Sequence, residues 1–156
     1  MNAVTNAAVT EDGGFVLEMS RTFGAPRDRV FEAFTKPEAL AQWWGPKGCT
    51  APRVELDVQP GGAFAIDMHH ASGQVHYLSG VYEEISPHDR PVFTWAWGQG
   101  DDKGPPTHVT LEFLDVATGT EIILTHRGFP TDEARAQHGG GWTGCFDCLV
   151  DYLTTG

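Results

Sequence analysis

Between residues 54 and 125 the chain alternates apolar and polar side chains with a period of two. Phe64, Ile66 and Met68 fall on one side of this alternation, and the same pattern returns in several later segments. Successive side chains of a strand point to opposite faces, so the pattern predicts antiparallel strands with one apolar face. Such a face must be covered by another element. The fold therefore depends on what the rest of the chain can place over the sheet.

The C-terminal segment provides such a cover. A helix is predicted to begin near Thr131, with an interruption at the glycines of positions 139–141. Beyond these glycines, apolar residues recur at helical spacing and form one stripe that can pack on the sheet. The members of this stripe are Trp142, Phe146, Leu149, Val150 and Leu153.

The N-terminal third contains the remaining elements. Phe15–Phe23 is predicted to be the first strand, a helix is predicted after Pro26, and Pro37 suits the first turn of a second short helix. Residues 1–13 are interpreted as a flexible lead-in and residues 14–156 as a single domain. The predicted fold class is α+β: a curved antiparallel sheet of about six to seven strands wraps around a long C-terminal helix, with two short helices after strand 1.

The charge and composition of the chain exclude several classes of partner. Ten basic and twenty-one acidic residues give a net charge of −11, which disfavours nucleic acid and anionic membrane surfaces. No apolar run approaches the roughly 20 residues of a membrane span, and the N-terminus lacks the features of a signal peptide. Three cysteines do not form a secreted disulfide framework. Together these features predict a cytoplasmic protein.

All five tryptophans lie in three short phrases, around Trp43 and Trp44, around Trp95 and Trp97, and at Trp142. An indole is too large to be left on the surface of a small domain, so these phrases line either a thick core or a pocket. A curved sheet wrapped around one helix leaves a concave apolar space, and small ligands bind in such spaces.

His126 is the titratable residue with the most informative position. It shares the strand face of Ile122 and Leu124, so its imidazole should point towards the covered face. A buried imidazole must be hydrogen-bonded, and it can also carry a proton. Two interpretations stay open. The favoured one is a hydrogen-bonded core histidine near a strand end, and the other is the polar anchor of a pocket.

Other residue patterns do not form a catalytic set. Cys145 and Cys148 have the spacing of a redox or zinc motif, but they lie inside a predicted helix and the sequence has no second pair of zinc ligands. His69 and His70 are neighbours on a strand and point to opposite faces, so they cannot hold one metal ion together. The sequence therefore predicts no catalytic residues, no metal site and no cofactor.

Several phrases, in order from about residue 15 to residue 155, resemble the START-like (SRPBCC, helix-grip) superfamily. Together they are similar to its branch named for homologues of the activator of the heat-shock-protein-90 ATPase. The phrases are Arg21-Thr22-Phe23 with Ala25-Pro26, Val30-Phe31, Trp43-Trp44-Gly45-Pro46, Pro60-Gly61-Gly62, Gly80 with Tyr82 and Glu84-Ile85, Phe93-Thr94-Trp95, Gly119-Thr120, Leu124-Thr125-His126 with Gly128-Phe129, and Gly141-Trp142.

The resemblance implies a helix-grip domain with an apolar cavity between the sheet and the C-terminal helix. Members of the superfamily bind lipids, hormones or polyketides, and some are cyclases or hydrolases. We therefore expect this chain to bind a hydrophobic or aromatic small molecule, oriented by His126 or Tyr82, rather than to catalyse a reaction. Strand parity and the resemblance together predict that the cavity is lined by Phe34, Trp43, Trp44, Met68, Tyr82, Trp95, Trp97, Val109, Leu111, His126, Trp142 and Phe146.

Two further functions stay open at this point. One is an enzyme of the polyketide-cyclase type that uses the same cavity with His126 as general base, although the sequence places no partner acid. The other is a stress-related co-chaperone that activates a chaperone ATPase through its acidic surface. A homodimer is compatible with the sequence, whereas nucleic acid and membranes are not expected partners.

Overall fold

The computed structural model describes residues 2–9, 15–45, 49–85, 90–98 and 106–155. These residues form one antiparallel sheet, two short helices and one long helix. In chain order the elements are β1 (Asn2–Val9), β2 (Phe15–Phe23), α1 (Arg27–Thr35), α2 (Pro37–Leu40), β3 (Cys49–Leu56), β4 (Ala63–His70), β5 (Val75–Glu84), β6 (Val92–Trp97), β7 (Thr107–Val116), β8 (Gly119–Phe129) and α3 (Asp132–Thr155).

The strands lie in the order β1-β2-β8-β7-β6-β5-β4-β3. Consecutive strands from β3 to β8 are neighbours, and β2 joins the sheet beside β8 in antiparallel register. Strands β2 to β8 are the seven-stranded sheet that the alternation predicts, and α1 and α2 follow its first strand as expected. The predicted α+β class is confirmed.

An eighth strand, β1, was not predicted. It pairs with the edge of β2, with an irregular register between Val4 and Ala7. The sequence indicated only a lead-in over this part of the chain. Small side chains without a sustained apolar alternation give little strand signal, and the free edge of β2 supplies the hydrogen-bonding partner instead.

Alternate side chains of β8 point towards the covered face of the sheet, as predicted. Thr120, Ile122, Leu124 and His126 are all 0% exposed. Just beyond them the register with β2 shifts, and Gly128 has a φ of 97°, which favours glycine. As a result the side chains at positions 126 and 129 are both buried, and the rings of His126 and Phe129 lie 4.4 Å apart.

Helix α3 runs without a break through Gly139–Gly141, so the predicted interruption was wrong. Glycine lowers helix propensity, but packing of the apolar stripe on the sheet outweighs that local cost. A Cβ on Gly139 would lie 3.3 Å from Cδ1 of Leu17, so this glycine lets α3 approach β2 closely. Within the described part of the chain, no helix combines the length and apolar character needed to cross a membrane.

Helices α1 and α2 hold the first tryptophan phrase in place. The indole N–H of Trp43 donates to the carbonyl of Ala33 at 3.0 Å. The ring of Phe34 contacts Trp43 and Phe113 edge to face, at centroid distances of 4.8 and 5.6 Å. These contacts fix the turn after α2 against the sheet, so the next residue, Trp44, projects into the space under α3.

Candidate functional site

A cavity of about 470 Å³ lies between the sheet and α3. Strands β4, β5 and β6 form one wall, α3 forms the opposite wall, and the turn after α2 contributes one indole. Its surface is mainly aromatic and aliphatic, with a few polar groups. The lining residues are Trp44, Met68, His76, Trp95, Trp97, Gln137, His138, Gly141, Trp142 and Cys145.

Helical spacing explains the α3 wall. Gln137, Gly141 and Cys145 are four residues apart and therefore occupy one stripe of the helix, with His138 and Trp142 beside it. Gly141 leaves this stripe without a side chain at its centre. A Cβ placed there would meet no heavy atom within 4 Å, so the glycine borders open volume.

Three indoles from different parts of the chain meet at the cavity. The ring of Trp95 lies 5.9 Å from that of Trp44 and 5.1 Å from that of Trp142. Trp44 and Trp142 meet edge to face at 5.6 Å. Aromatic pairs at these distances are favourable beyond their buried area, so the three rings form a continuous aromatic wall.

A second, much smaller cavity of about 40 Å³ shares Trp44 and Trp95 with the first. Its volume suits water but not an organic molecule. The two indoles therefore border free volume in both cavities. The other residues that line the smaller cavity are Phe34, Thr35, Leu40, Leu56, Phe64, Ile66, Tyr82, Pro91, Phe93 and Leu111.

Both ring nitrogens of His126 are hydrogen-bonded inside the protein. Nδ1 accepts the indole N–H of Trp142 at 3.1 Å, so Nε2 carries the proton of the neutral ring. Nε2–H then donates to the Thr107 hydroxyl at 2.7 Å, and that hydroxyl donates to the carbonyl of Trp95 at 3.2 Å. His126 thus connects α3, β7 and β6, which is the arrangement of a hydrogen-bonded core histidine.

His138 on α3 repeats this pattern at the cavity wall. Its Nε2 accepts the indole N–H of Trp97 at 2.9 Å. Its Nδ1 lies 2.8 Å from the carbonyl oxygen of Ala134, to which it donates. The neutral His138 ring therefore fixes the outer indole of β6 against the helix, and its acceptor nitrogen is not free for a ligand.

Burial sets the protonation of both histidines. It lowers the pKa of His126 well below the usual 6.5, and the nearby His138 and His108 lower that pKa further. Burial also lowers the pKa of His138, against a smaller opposite effect of the hydrogen bond to Ala134. Both rings are therefore neutral at pH 7. Protonation of either ring would place an N–H against an indole N–H.

The two cysteines of the CxxC spacing lie on one helix. Cys145 lies within α3 and is buried, and burial raises its pKa to about 12, so the thiol is protonated at pH 7. Cys148 is one turn further along the same helix. Among the described residues, no group of three or more histidine, cysteine or acidic side chains is arranged to hold a metal ion.

Comparison with known proteins identifies the family. Residues 24–154 match the family described as Activator of Hsp90 ATPase homolog 1-like protein. The chain belongs to this family. Its relation to the START-like, helix-grip fold, inferred from the tryptophan and glycine phrases, is thereby confirmed.

Solved structures of relatives agree with this assignment. An AHSA1 protein from Silicibacter pomeroyi is 30% identical, with a TM-score of 0.81 over 90% of this chain and 98% of that one. A protein from Chromobacterium violaceum is 28% identical, with a TM-score of 0.78 over 87% and 94% of the two chains. CalU16 from Micromonospora echinospora, 22% identical, has the same fold at a TM-score of 0.69 over 94% and 82%. No curated protein matches the chain.

The structure divides the twelve residues of the expected lining into three groups. Trp44, Met68, Trp95, Trp97 and Trp142 line the larger cavity. Phe34, Tyr82 and Leu111 line the smaller cavity together with Trp44 and Trp95. Trp43, Val109, His126 and Phe146 line neither cavity and are buried in the packed core.

Five lining residues of this family member were not anticipated. His76 lies opposite Met68 on the neighbouring strand, so strand pairing places it at the same cavity. The other four are on α3. If the helix is taken as continuous, their spacing places them on the same side of it as Trp142, so the sequence could have predicted them. These four residues are Gln137, His138, Gly141 and Cys145.

Proposed function

We propose that this member of the Activator of Hsp90 ATPase homologue family binds an apolar, aromatic small molecule in the cavity between the sheet and α3. A volume of about 470 Å³ lies in the range of about 300–1,000 Å³ typical of small-molecule pockets. Aromatic walls favour a ligand that gains from ring contacts as well as from burial. The observation that carries the proposal is the open aromatic-walled volume beside Gly141.

We infer binding rather than catalysis from the surroundings of the candidate base. His126 is fully buried, outside both cavities, and has both nitrogens engaged. A general base must reach the proton it removes. None of the described residues that line the two cavities is an acid, so a polyketide-cyclase reaction would also lack its partner acid.

The expected location and macromolecular partners rest on the sequence. The charge and composition of the chain support a cytoplasmic location, which we include in the proposal. The co-chaperone function, a chaperone partner and a homodimer stay predictions from the sequence and the family resemblance.

Substitution of Gly141 by leucine tests the proposal. The new side chain has no heavy atom against its Cβ and would extend into the larger cavity, so the protein should fold normally with part of its ligand space filled. With diphenylmethane as an apolar aromatic probe, we expect calorimetric titration to show binding to the unmodified chain. Gly141→Leu should weaken that binding by at least about tenfold, or about 1.4 kcal/mol.

Gly140→Leu is the matched control. Gly140 is the preceding residue of the same helix, is exposed, and also has no heavy atom near a Cβ, but it does not line the cavity. The control variant should bind diphenylmethane as the unmodified chain does. Equal binding by the two leucine variants, or no binding to the unmodified chain, would contradict the proposed site.

A further inference from the structure

The five tryptophans differ in whether their indole N–H has an acceptor. Three donate within the protein: Trp43 to the Ala33 carbonyl, Trp97 to His138 and Trp142 to His126. The indole nitrogens of Trp44 and Trp95 have no hydrogen-bond partner and are shielded from water. Such unpaired buried donors are uncommon and costly in proteins, so their position needs an explanation.

The two unpaired indoles are the two that border both cavities. Trp44 and Trp95 are 5% and 6% exposed, and each lines the larger cavity as well as the smaller one. The described ring neighbours of Trp44 are indoles, which are weak acceptors at best. Trp95 also lies near the rings of His126 and His138, but the acceptor nitrogens of these rings are taken by Trp142 and Trp97. Both rings have free volume beside them, and a ligand can accept from either N–H only if the ring turns that group towards a cavity.

The described residues around the cavities supply these donors but no lysine or arginine to balance an anion. Two histidines line the larger cavity: the ring of His138 is neutral, with both nitrogens engaged, and His76 is exposed. A carboxylate or phosphate buried beside Trp44 and Trp95 would therefore have no lysine or arginine among the described lining residues as a counter-charge, which is unfavourable. A neutral carbonyl oxygen accepts an N–H without that penalty.

We infer that the ligand of this cavity is a neutral aromatic carbonyl compound whose oxygen accepts the indole N–H of Trp44 or Trp95. The inference rests on the proposed function, because it defines the chemistry of the molecule held in the same cavity. The aromatic body of the ligand packs in the larger cavity, and its oxygen is directed towards the two indoles that the larger and smaller cavities share.

Benzophenone and diphenylmethane are matched probes, since they differ in one carbonyl group. The quantity to measure by calorimetry is the ratio of the Kd of diphenylmethane to that of benzophenone, in the unmodified chain and in Trp44→Phe and Trp95→Phe. Phenylalanine keeps an aromatic ring, although a smaller one, and removes the N–H; the ratio of the two Kd values cancels the loss of ring surface that both probes share. In at least one of these variants we expect the ratio to fall by about threefold to tenfold, the range of one hydrogen bond.

Trp43→Phe is the control variant. It also removes one buried indole N–H, but that group is paired with Ala33 and its side chain lines neither cavity. The ratio in this variant should equal that of the unmodified chain. A ratio that stays constant across all three variants, while both probes still bind, would overturn the inference and leave the cavity proposal standing. Failure of both probes to bind the unmodified chain would overturn both.

A measurement on the unmodified chain does not depend on how the variants fold. In a ¹H–¹⁵N spectrum, an indole N–H that acquires a carbonyl acceptor should shift downfield. We expect the resonance of Trp44 or Trp95 to shift in this way with benzophenone but not with diphenylmethane, while that of Trp43 stays in place. Identical shifts with the two probes would overturn the inference.

Discussion

At the scale of single residues, two neutral histidines hold two indoles of the larger cavity, Trp97 and Trp142, in place. His126 and His138 each accept one indole N–H, and their rings lie 5.3 Å apart. The same imidazole that appeared as a candidate base in the sequence is thus a structural acceptor. Its two hydrogen-bond partners come from β7 and α3, so sequence patterns could place His126 on the inner face but could not reveal that its nitrogens are occupied.

This arrangement predicts a loss of stability in mild acid. The folded-state pKa of each histidine lies below its unfolded value of 6.5, so the unfolded chain binds protons that the folded chain does not. The stabilising contribution is present above pH 6.5 and is lost as the pH falls below it. For His126 alone, we expect the free energy of unfolding to fall by up to about 1.4 kcal/mol per pH unit below pH 6.5.

Urea denaturation at pH 7.5, 6.5 and 5.5 measures this dependence. His126→Gln removes the titrating ring, so it should destabilise the protein at pH 7.5 and also reduce the loss between pH 6.5 and 5.5. His70→Gln, which replaces an exposed histidine outside the core, is measured alongside as the control for the substitution itself. An equal pH dependence in the unmodified chain and in His126→Gln would show that the buried ring does not control it.

At the scale of elements, α3 shows where local propensity and packing disagree. Three consecutive glycines predict a break, yet the helix continues because its apolar stripe packs on the sheet. The glycines differ in their surroundings: Gly139 lies against Leu17, Gly141 borders the cavity, and Gly140 meets nothing within 4 Å. Gly139 therefore has a packing reason to lack a side chain, whereas at Gly141 a side chain would only occupy cavity volume. Gly140 has neither reason.

Alanine substitutions should separate these roles. Gly140→Ala should raise the free energy of unfolding by about 0.5–1 kcal/mol, the usual gain from replacing an exposed glycine within a helix. Gly139→Ala should gain less, because its Cβ would lie only 3.3 Å from the buried Leu17. Urea or thermal denaturation of the two variants measures the difference. An equal gain in both would contradict the close approach of α3 to β2.

At the scale of the whole molecule, the fold was more predictable than the site. Period-two alternation and a helical apolar stripe are both patterns of residues close together in the sequence. For that reason the sequence could predict strands β2 to β8 and the helix α3 that covers them. The strand β1 has no such pattern and forms on an available edge. The division of the predicted lining between two cavities and the core depends on how α3 sits across the sheet, which no local pattern encodes. Val109 and Phe146 therefore belong to the core, although their strand or helix face was assigned correctly.

Photochemical labelling tests the central claim, that a small aromatic molecule occupies the larger cavity. Irradiated benzophenone inserts into nearby C–H bonds, and tandem mass spectrometry locates the attachment. We expect labelling at Met68 and within residues 137–145 of α3, with little of it in Gly141→Leu and full labelling in Gly140→Leu. Attachment mainly at the exposed apolar residues Val81, Leu114 and Val116, or equal labelling of the two leucine variants, would contradict the account.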